Sequence, residues 1–153
     1  MMNDQRVEIL LVEDNPADVK LFQAGLSGPY HISVAESGAE ALDRLFQRGK
    51  FKEEPRPNVV VLDLNVPLLN GHEVLNVMKA NSKLRSIPSV IFSASTNPDD
   101  VEKAYDFGAS AYIVKPTNLE DVERTLSAFV DFWIARVVYP GLMLVPRTAG
   151  QGA

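Results

Sequence analysis

The sequence predicts an α/β fold in which a five-stranded parallel sheet carries helices on both faces. Short runs of β-branched and other apolar residues alternate five times with longer amphipathic segments. Strict alternation of this kind is typical of parallel strands joined by crossover helices. The chain has 153 residues, 46% of them hydrophobic, and this length suits one domain with its own buried core.

The first strand–helix unit has clear start and stop signals. The run Val7–Val12 is apolar except at Glu8, which predicts a buried strand. Asn15 followed by Pro16 predicts the cap and the first turn of a helix. The Gly-Pro pair at 28–29 is expected to separate this helix from the next strand.

The second and third units follow the same logic. Residues Tyr30–Ala35 alternate and predict a strand, and the Ser-Gly-Ala-Glu sequence at 37–40 predicts a capping box that opens a helix. Residues 50–58 contain two prolines and several charges, which predicts an exposed loop. Val59–Leu62 is apolar on both faces, as expected for a central parallel strand, and Gly71 begins the third helix.

The last two units complete the alternation. Residues 89–92 predict the fourth strand, and Asn-Pro-Asp-Asp at 97–100 combines a cap residue, a first-turn proline and two acids at a helix start. Ala111–Val114 predicts the fifth strand. A second capping box at 117–120 opens a final helix that is expected to reach about Arg136. The domain therefore spans residues 6–136, and 137–153 form a short extension too small for an output domain.

Charge and composition exclude several classes of function. The chain has 20 acidic and 15 basic residues, a net charge of −5 and no cysteine. This charge argues against nucleic-acid binding, and the absence of cysteine excludes disulfides and thiolate chemistry. No apolar run is long enough to span a membrane. We expect a cytoplasmic protein with no nucleic-acid or membrane partner.

Polar residues follow four of the five predicted strands. Ligands of open parallel sheets bind beyond the carboxyl ends of the strands, so these side chains are expected to converge. Three crowded carboxylates repel one another unless a hard cation such as Mg²⁺ joins them, and a lysine and a hydroxyl nearby suit a phosphoryl group. The candidate residues are Glu13 and Asp14 after the first strand, Asp63 after the third, Ser93 at the end of the fourth and Lys115 after the fifth.

These residues, taken in order, resemble the receiver domains of two-component response regulators. The resemblance covers about residues 6–136 and implies a flavodoxin-like fold with strand order 2-1-3-4-5. It is carried by Glu13-Asp14, by Asp63, Asn65, Pro67 and Gly71, by Ser93-Ala94, by Tyr112 and by Lys115-Pro116.

The resemblance implies roles for individual residues. Asp63 would accept a phosphoryl group from a sensor histidine kinase. Glu13, Asp14, Asp63 and the backbone carbonyl of Asn65 would hold Mg²⁺. Lys115 would contact the phosphoryl group.

It also implies a switch. Ser93 would move toward the phosphoryl group, to which the amide of Ala94 would also donate. Tyr112 would change rotamer with that shift, and Pro116 is expected to follow a cis peptide bond.

A narrower resemblance is to the stand-alone regulators paired with phytochrome photoreceptor kinases. The Pro-containing loop at 49–57, the helix start at 97–100, Phe132-Trp133 and the Tyr-Pro pair at 139–140 are similar to that subgroup. It implies a phytochrome-type kinase as the partner.

The last helix predicts an interface. Leu119, Val122, Leu126, Val130 and Trp133 form one stripe that is expected to face the sheet. Phe132 falls off this stripe together with Ala128, Ala135 and Tyr139, which predicts an apolar outer patch. In receivers the fourth helix, fifth strand and fifth helix commonly form symmetric dimers, so we expect a homodimer there, with the segment 137–145 packed nearby.

Three rival functions are disfavoured by particular residues. A phosphatase with an aspartyl nucleophile needs a second acid two residues after that nucleophile, and Asn65 stands there. An FMN-binding electron carrier needs a phosphate-binding loop after the first strand, where Glu13 and Asp14 would repel phosphate. A DNA-binding regulator needs a basic helical module, which does not follow residue 136.

Overall fold

The computed structural model describes residues 6–142 and confirms the predicted fold class. Its sheet has five parallel strands in the order β2-β1-β3-β4-β5. The strands are β1 Val7–Val12, β2 Tyr30–Ala35, β3 Val59–Leu62, β4 Ser89–Ser93 and β5 Ala111–Val114. The helices are α1 Pro16–Gly25, α2 Gly38–Leu45, α3 Gly71–Ala80, α4 Pro98–Asp106 and α5 Leu119–Phe129.

Two apolar clusters cover the two faces of the sheet. One combines residues of α2, α3 and α4 with side chains such as Leu10 and Leu62, and the other combines residues of α1 and α5 with side chains such as Ile9 and Val61. Neighbouring side chains on a strand point to opposite faces, so a strand buried on both must be apolar throughout. All four residues of β3 are buried, which places the strand that leads to Asp63 at the centre of the molecule.

Asparagine caps begin four of the five helices. The Asn15 side chain accepts from two first-turn amides of α1, and the Asn97 side chain accepts from one first-turn amide of α4. Proline follows each of these asparagines, as predicted. The predicted capping box at 117–120 is shifted by one residue, because Asn118 rather than Thr117 accepts from the amide of Asp121. Asparagine is preferred to threonine as an N-cap residue. With Asn118 as the cap, both Glu120 and Asp121 lie in the first turn of α5.

The capping boxes at α2 and α3 differ from the prediction. Ser37 accepts from the amide of Glu40, but the Glu40 carboxylate accepts from the amide of Glu36, so the reciprocal half of the box is displaced by one residue. A complete box occurs instead at α3, between Asn70 and Glu73.

The loop before β3 is less exposed than predicted. Its first residues form a 3₁₀ turn, Gly49–Phe51, and the Phe51 side chain is buried. The Arg44 guanidinium lies 4.3 Å from the centre of the Phe51 ring, a distance typical of a cation–π contact. The buried Phe51 ring thus anchors a segment that its charges and prolines predict to be fully exposed to solvent.

A π turn ends the last helix and changes which side chains face inward. Beyond Phe129 the chain continues as the π turn Val130–Ile134, where the amide of Ala135 donates to the carbonyl of Val130, five residues back. The additional residue brings Ile134 into the core, so Trp133, predicted as core, is half-buried. At the other end of the predicted stripe Leu119 is 60% exposed, because it begins the helix beyond the edge of the sheet.

The first residues of the extension belong to the folded unit. Tyr139 and Leu142 are buried in the cluster under α1 and α5, and the Tyr139 hydroxyl donates to the carbonyl of Trp133 at 2.6 Å. The prediction that Tyr139 belongs to an outer interface is therefore wrong, because the chain turns back after the π turn and inserts this ring into its own core. Residues 143–145 of the predicted interface segment lie outside the described range.

Candidate functional site

Backbone hydrogen bonds at the ends of the strands bring the candidate residues to one edge of the sheet. The amide of Asp63 donates to the carbonyl of Val12 at 3.0 Å, and the amide of Lys115 donates to that of Ser93 at 2.8 Å. The parallel ladder therefore continues one residue beyond each strand. Residues that lie far apart in the sequence become neighbours because they occupy equivalent positions after paired strands.

The Lys115 ammonium is the centre of the site. Its nitrogen lies 2.7 Å from Glu13 Oε1, 2.8 Å from Asp18 Oδ2 and 2.7 Å from Asp63 Oδ2. An ammonium has three N–H donors, and these carboxylates use all of them. Three negative charges on one positive charge leave the cluster with excess negative charge.

Burial makes these charges interact strongly. The side chains of Glu13, Asp63 and Lys115 are 4%, 9% and 14% exposed. Burial raises the pKa of the Glu13 carboxyl, and the nearby Asp63 charge adds to this, although hydrogen bonds from Lys115 and the amide of Asn15 oppose it. Burial alone would lower the pKa of the Lys115 ammonium, but the hydrogen bonds to Asp18, Asp63 and Glu13 outweigh burial and raise it.

Asp63 is held at both carboxylate oxygens. Oδ2 accepts from Lys115, and Oδ1 accepts from the amide of Asn65 at 3.0 Å. The start of α3 packs directly behind it, since a Cβ on Gly71 would lie 2.7 Å from the backbone oxygen of Asp63. Only glycine fits this contact, which fixes the loop between β3 and α3 against the end of β3.

Asp14 does not join the cluster. It is exposed at the end of β1, and no ion pair found among residues 6–142 involves its carboxylate. Within the same range no three acidic or histidine side chains are arranged around a space that could hold a metal ion. The predicted metal ligands are oxygen donors with excess negative charge, which suits a hard cation, but here Glu13 and Asp63 are turned toward Lys115.

The predicted switch residues lie in a separate set of contacts beside the site. Ser93 is buried, and its hydroxyl oxygen accepts from the amide of Ser95 at 3.2 Å. The Tyr112 hydroxyl donates to the carbonyl of Ser95 at 2.9 Å. Ala94 is exposed. Ser95 therefore connects Ser93 to Tyr112, a link that was not predicted from the sequence.

The predicted cis bond before Pro116 is absent. No cis peptide bond occurs between residues 6 and 142, so Lys115 and Pro116 are joined in the trans form. The trans isomer is favoured by about 0.5–1 kcal/mol before proline, and the Lys115 ammonium reaches all three carboxylates with it.

Asp18 is a site residue that was not predicted from the sequence. It lies in the first turn of α1 rather than after a strand, and an acid there is expected simply from the helix dipole. The available signal was its position one turn beyond Asp14 on the helix that begins at this edge of the sheet.

The sequence matches a known protein family over most of its length. The model of the response regulator receiver domain matches residues 9–127. The chain belongs to this family. Receiver domains are signalling proteins of two-component systems and interact with sensor histidine kinases.

Relatives of this receiver domain include regulators of different pathways. Response regulator Rcp1 of Synechocystis is 37% identical over 135 residues, which cover 86% of this chain and 92% of Rcp1. The probable methanogenesis regulatory protein FilR2 of Methanothrix harundinacea is 37% identical over 139 residues, which cover 87% of each protein.

Solved structures confirm the receiver fold. The phosphorylated cyanobacterial phytochrome response regulator RcpA has a TM-score of 0.85 at 36% identity, with 88% of this chain and 99% of RcpA covered. The Mn²⁺-bound form of Rcp1 has a TM-score of 0.84 at 36% identity and the same coverage. This relative binds a divalent metal. In this receiver domain, no helix between residues 6 and 142 is long and apolar enough to cross a membrane.

Proposed function

We propose that this receiver domain accepts a phosphoryl group on Asp63. The observation that supports it most directly is the buried Asp63 carboxylate, which lies 2.7 Å from the Lys115 ammonium. An Asp63 oxygen attacks the phosphorus of a phosphohistidine, the P–N bond breaks, and its electron pair returns to the imidazole nitrogen. Hydrolysis restores the free Asp63 carboxylate, because water attacks the phosphorus and releases a proton to solvent, and the electron pair of the broken P–O bond returns to the Asp63 oxygen.

We propose that Mg²⁺ assists this chemistry. Glu13, Asp14, Asp63 and the backbone carbonyl of Asn65 would hold it once the exposed Asp14 side chain turns toward Glu13 and Asp63. Their oxygen donors and excess negative charge suit such an ion. When bound, Mg²⁺ neutralises charge on the phosphoryl oxygens. Lys115 supplies the positive charge on the protein side, because its N–H groups are already directed at Asp63.

The output of the domain is a change in binding, with no substrate turned over. Ser93 would donate its hydroxyl proton to the phosphoryl group and give up the hydrogen bond from the Ser95 amide. The amide of Ala94 would donate to the same group. Because Ser95 also accepts from Tyr112, this movement would change the hydrogen bond that holds the Tyr112 ring and thus the surface of α4.

The partner is a sensor histidine kinase of the phytochrome type. The relative RcpA is a phytochrome response regulator, and this receiver domain matches almost the whole length of RcpA. Against this stands the methanogenesis regulator FilR2, which is equally similar in sequence. The kinase must therefore be tested directly.

Labelling by acetyl phosphate tests the acceptor. With Mg²⁺, we expect intact mass to show one added phosphoryl group, and peptide mapping to place it on Asp63. Asp63→Asn should abolish labelling, whereas Asp99→Asn, which removes an exposed acid from α4, should label like the wild type. Labelling that persists in Asp63→Asn would disprove the assignment.

Phosphotransfer tests the partner. A phosphorylated phytochrome kinase should transfer to this chain faster than an unrelated sensor kinase does. Equal transfer from both would remove the phytochrome assignment but leave Asp63 as the acceptor.

A homodimer through α4, β5 and α5 is proposed as well. Four large apolar side chains on these elements and their continuation are exposed: Tyr105, Val114, Leu119 and Phe132 at 49%, 42%, 60% and 54%. Ala128 and Ala135 are also exposed. Exposed apolar side chains on elements of one face suit an interface.

A further inference from the structure

Asp18 carries a contact that the receiver motif does not explain. Its Oδ2 atom accepts a hydrogen bond from Lys115 at 2.8 Å, close to the distances from Glu13 and Asp63. Asp18 is in turn fixed by its own helix, because its amide donates to the cap residue Asn15. It is a third partner of the lysine, held on α1 rather than at the end of a strand.

This contact survives the chemistry that breaks one of the other two. When an Asp63 oxygen becomes bonded to phosphorus, it loses its negative charge and its strong attraction for the ammonium. One N–H of Lys115 is then released toward the phosphoryl oxygens. The bond to Asp18 involves neither Asp63 nor any proposed metal ligand, so it would continue to direct the ammonium.

The lysine has room to leave if one of these bonds is lost. A cavity of about 70 Å³ lies beside Asp18 and Lys115, and its other walls are apolar side chains such as Leu21, Phe22 and Val122. A lysine stem is flexible and packs readily along apolar surface. Without the Asp18 carboxylate, the ammonium would therefore be free to move away from Asp63.

We propose that Asp18 is a positioning residue that holds the Lys115 ammonium in place for phosphoryl transfer to Asp63. This inference rests on the proposed function of Asp63. Lys115 connects Asp18 to Asp63 by hydrogen bonds to both carboxylates, so the effect of Asp18 is expected to pass through this lysine.

The rate of labelling by acetyl phosphate in the presence of Mg²⁺ tests the proposal. Asp18→Ala should slow labelling about tenfold, because a misdirected charge costs transition-state stabilisation. Asp18→Asn keeps an oxygen acceptor without its charge and should fall between Asp18→Ala and the wild type. Asp99→Ala is the matched control, since it removes the same charge from the first turn of α4 and should leave the rate unchanged.

A double-mutant cycle separates positioning from a general structural role. In the Lys115→Ala background, Asp18→Ala should have no further effect, because the residue through which it acts is gone. If Lys115→Ala labels too slowly to time, the cycle of labelling rates is run in the Lys115→Arg background, which keeps a cation but changes its geometry toward Asp18. There Asp18→Ala should slow labelling by a smaller factor than it does in the wild type.

Three results would overturn the proposal. The first is faster labelling in both Asp18 variants, which would mean that Asp18 only repels the phosphoryl group. The second is an unchanged labelling rate in Asp18→Ala. The third is additive effects of the two substitutions in the double-mutant cycle. Failure of the proposed function looks different, because the wild type itself would then remain unlabelled or would label at a residue other than Asp63.

Discussion

The Glu13 carboxyl is buried at the end of β1, near the Asp63 carboxylate and the Lys115 ammonium. One oxygen accepts from Lys115 and the other accepts from the amide of Asn15 at 3.1 Å. Burial nevertheless raises the pKa of this carboxyl. The surroundings of Glu13 therefore favour the protonated form of its carboxyl more than water does.

This leads to a prediction about stability and pH. A folded-state pKa above the unfolded value of 4.5 contributes stability that is fully present below that value and is lost as pH rises through the folded pKa. Glu13→Gln cannot titrate and lacks this contribution. The free energy of unfolding of the wild type, relative to Glu13→Gln, should therefore fall as pH rises above 4.5.

Urea unfolding at several pH values measures the difference. Glu53→Gln serves as control, because the Glu53 side chain is exposed. A Glu13→Gln difference that does not change between acid and neutral pH would show that burial of Glu13 does not control its protonation.

At the residue scale, the site residues that follow strands could be located from the sequence. Glu13, Asp63 and Lys115 converge as predicted because paired strands end at one edge. The position of Asp18 depends on how α1 packs against that edge, which strand order alone does not determine. The orientation of Asp14, which points to solvent, is likewise set by side-chain packing rather than by position in the chain.

The connection between β3 and α3 is held by the start of α2. Leu68 and Leu69 have φ values of 50° and 78°, a backbone region that costs a non-glycine residue about 1–2 kcal/mol. The amides of Gly38 and Ala39 donate to the carbonyls of Pro67 and Leu68 at 3.0 and 2.7 Å. These bonds satisfy first-turn amides of α2 and offset part of the strain.

The close contact predicts the effect of a small substitution. A Cβ on Gly38 would lie 1.9 Å from the backbone oxygen of Leu69, so Gly38→Ala must displace the loop. We expect it to destabilise the fold by about 1–3 kcal/mol, measured by urea unfolding, and to slow labelling of Asp63. Helix propensity alone would make alanine more stable by about 0.5–1 kcal/mol.

Gly49→Ala is the control for Gly38→Ala. Gly49 has φ 54° but open space around it, so alanine there should cost about 1–2 kcal/mol through its backbone alone. It should not change labelling. A Gly38→Ala variant that gains stability would show that the loop yields without cost.

At the element scale, the strand boundaries follow directly from the apolar runs. The end of α5 does not, because a periodicity of 100° per residue assumes a regular helix. The π turn breaks this assumption after Phe129, so helical periodicity places Trp133 in the core where Ile134 lies. The burial of Phe51 was not predicted, because its neighbours in the sequence are charged. No local pattern predicts that the Arg44 guanidinium packs over the Phe51 ring.

The whole domain extends beyond the last helix. Tyr139 is 3% exposed and its neighbour Val138 is 57% exposed. Tyr139→Ala should lower the free energy of unfolding by about 3–5 kcal/mol, as for other buried aromatic side chains. Val138→Ala, one residue earlier, should change it by less than about 0.5 kcal/mol. Equal effects of the two would mean that the extension is not part of the core.

The proposed homodimer is tested in solution. Phe132→Glu places a charge on the exposed apolar patch and should convert the dimer to monomer in multi-angle light scattering. Leu21→Glu is the control, because Leu21 is an exposed apolar residue of α1 at 40%, outside the proposed interface. A Phe132→Glu protein that remains dimeric would remove this face from the interface.

The π turn also has a consequence for how this chain can diverge. It contains one residue more than regular helical winding would need, so deletion of a single residue there restores ordinary winding. The side chains after the deletion point then keep their directions, because a regular helix reaches the same place with one residue fewer. Such a deletion would leave Ile134 and Tyr139 in the core. In relatives of different length, a gap at this point is therefore compatible with an unchanged core, whereas a gap elsewhere in the helix would rotate the side chains after it by about 100°.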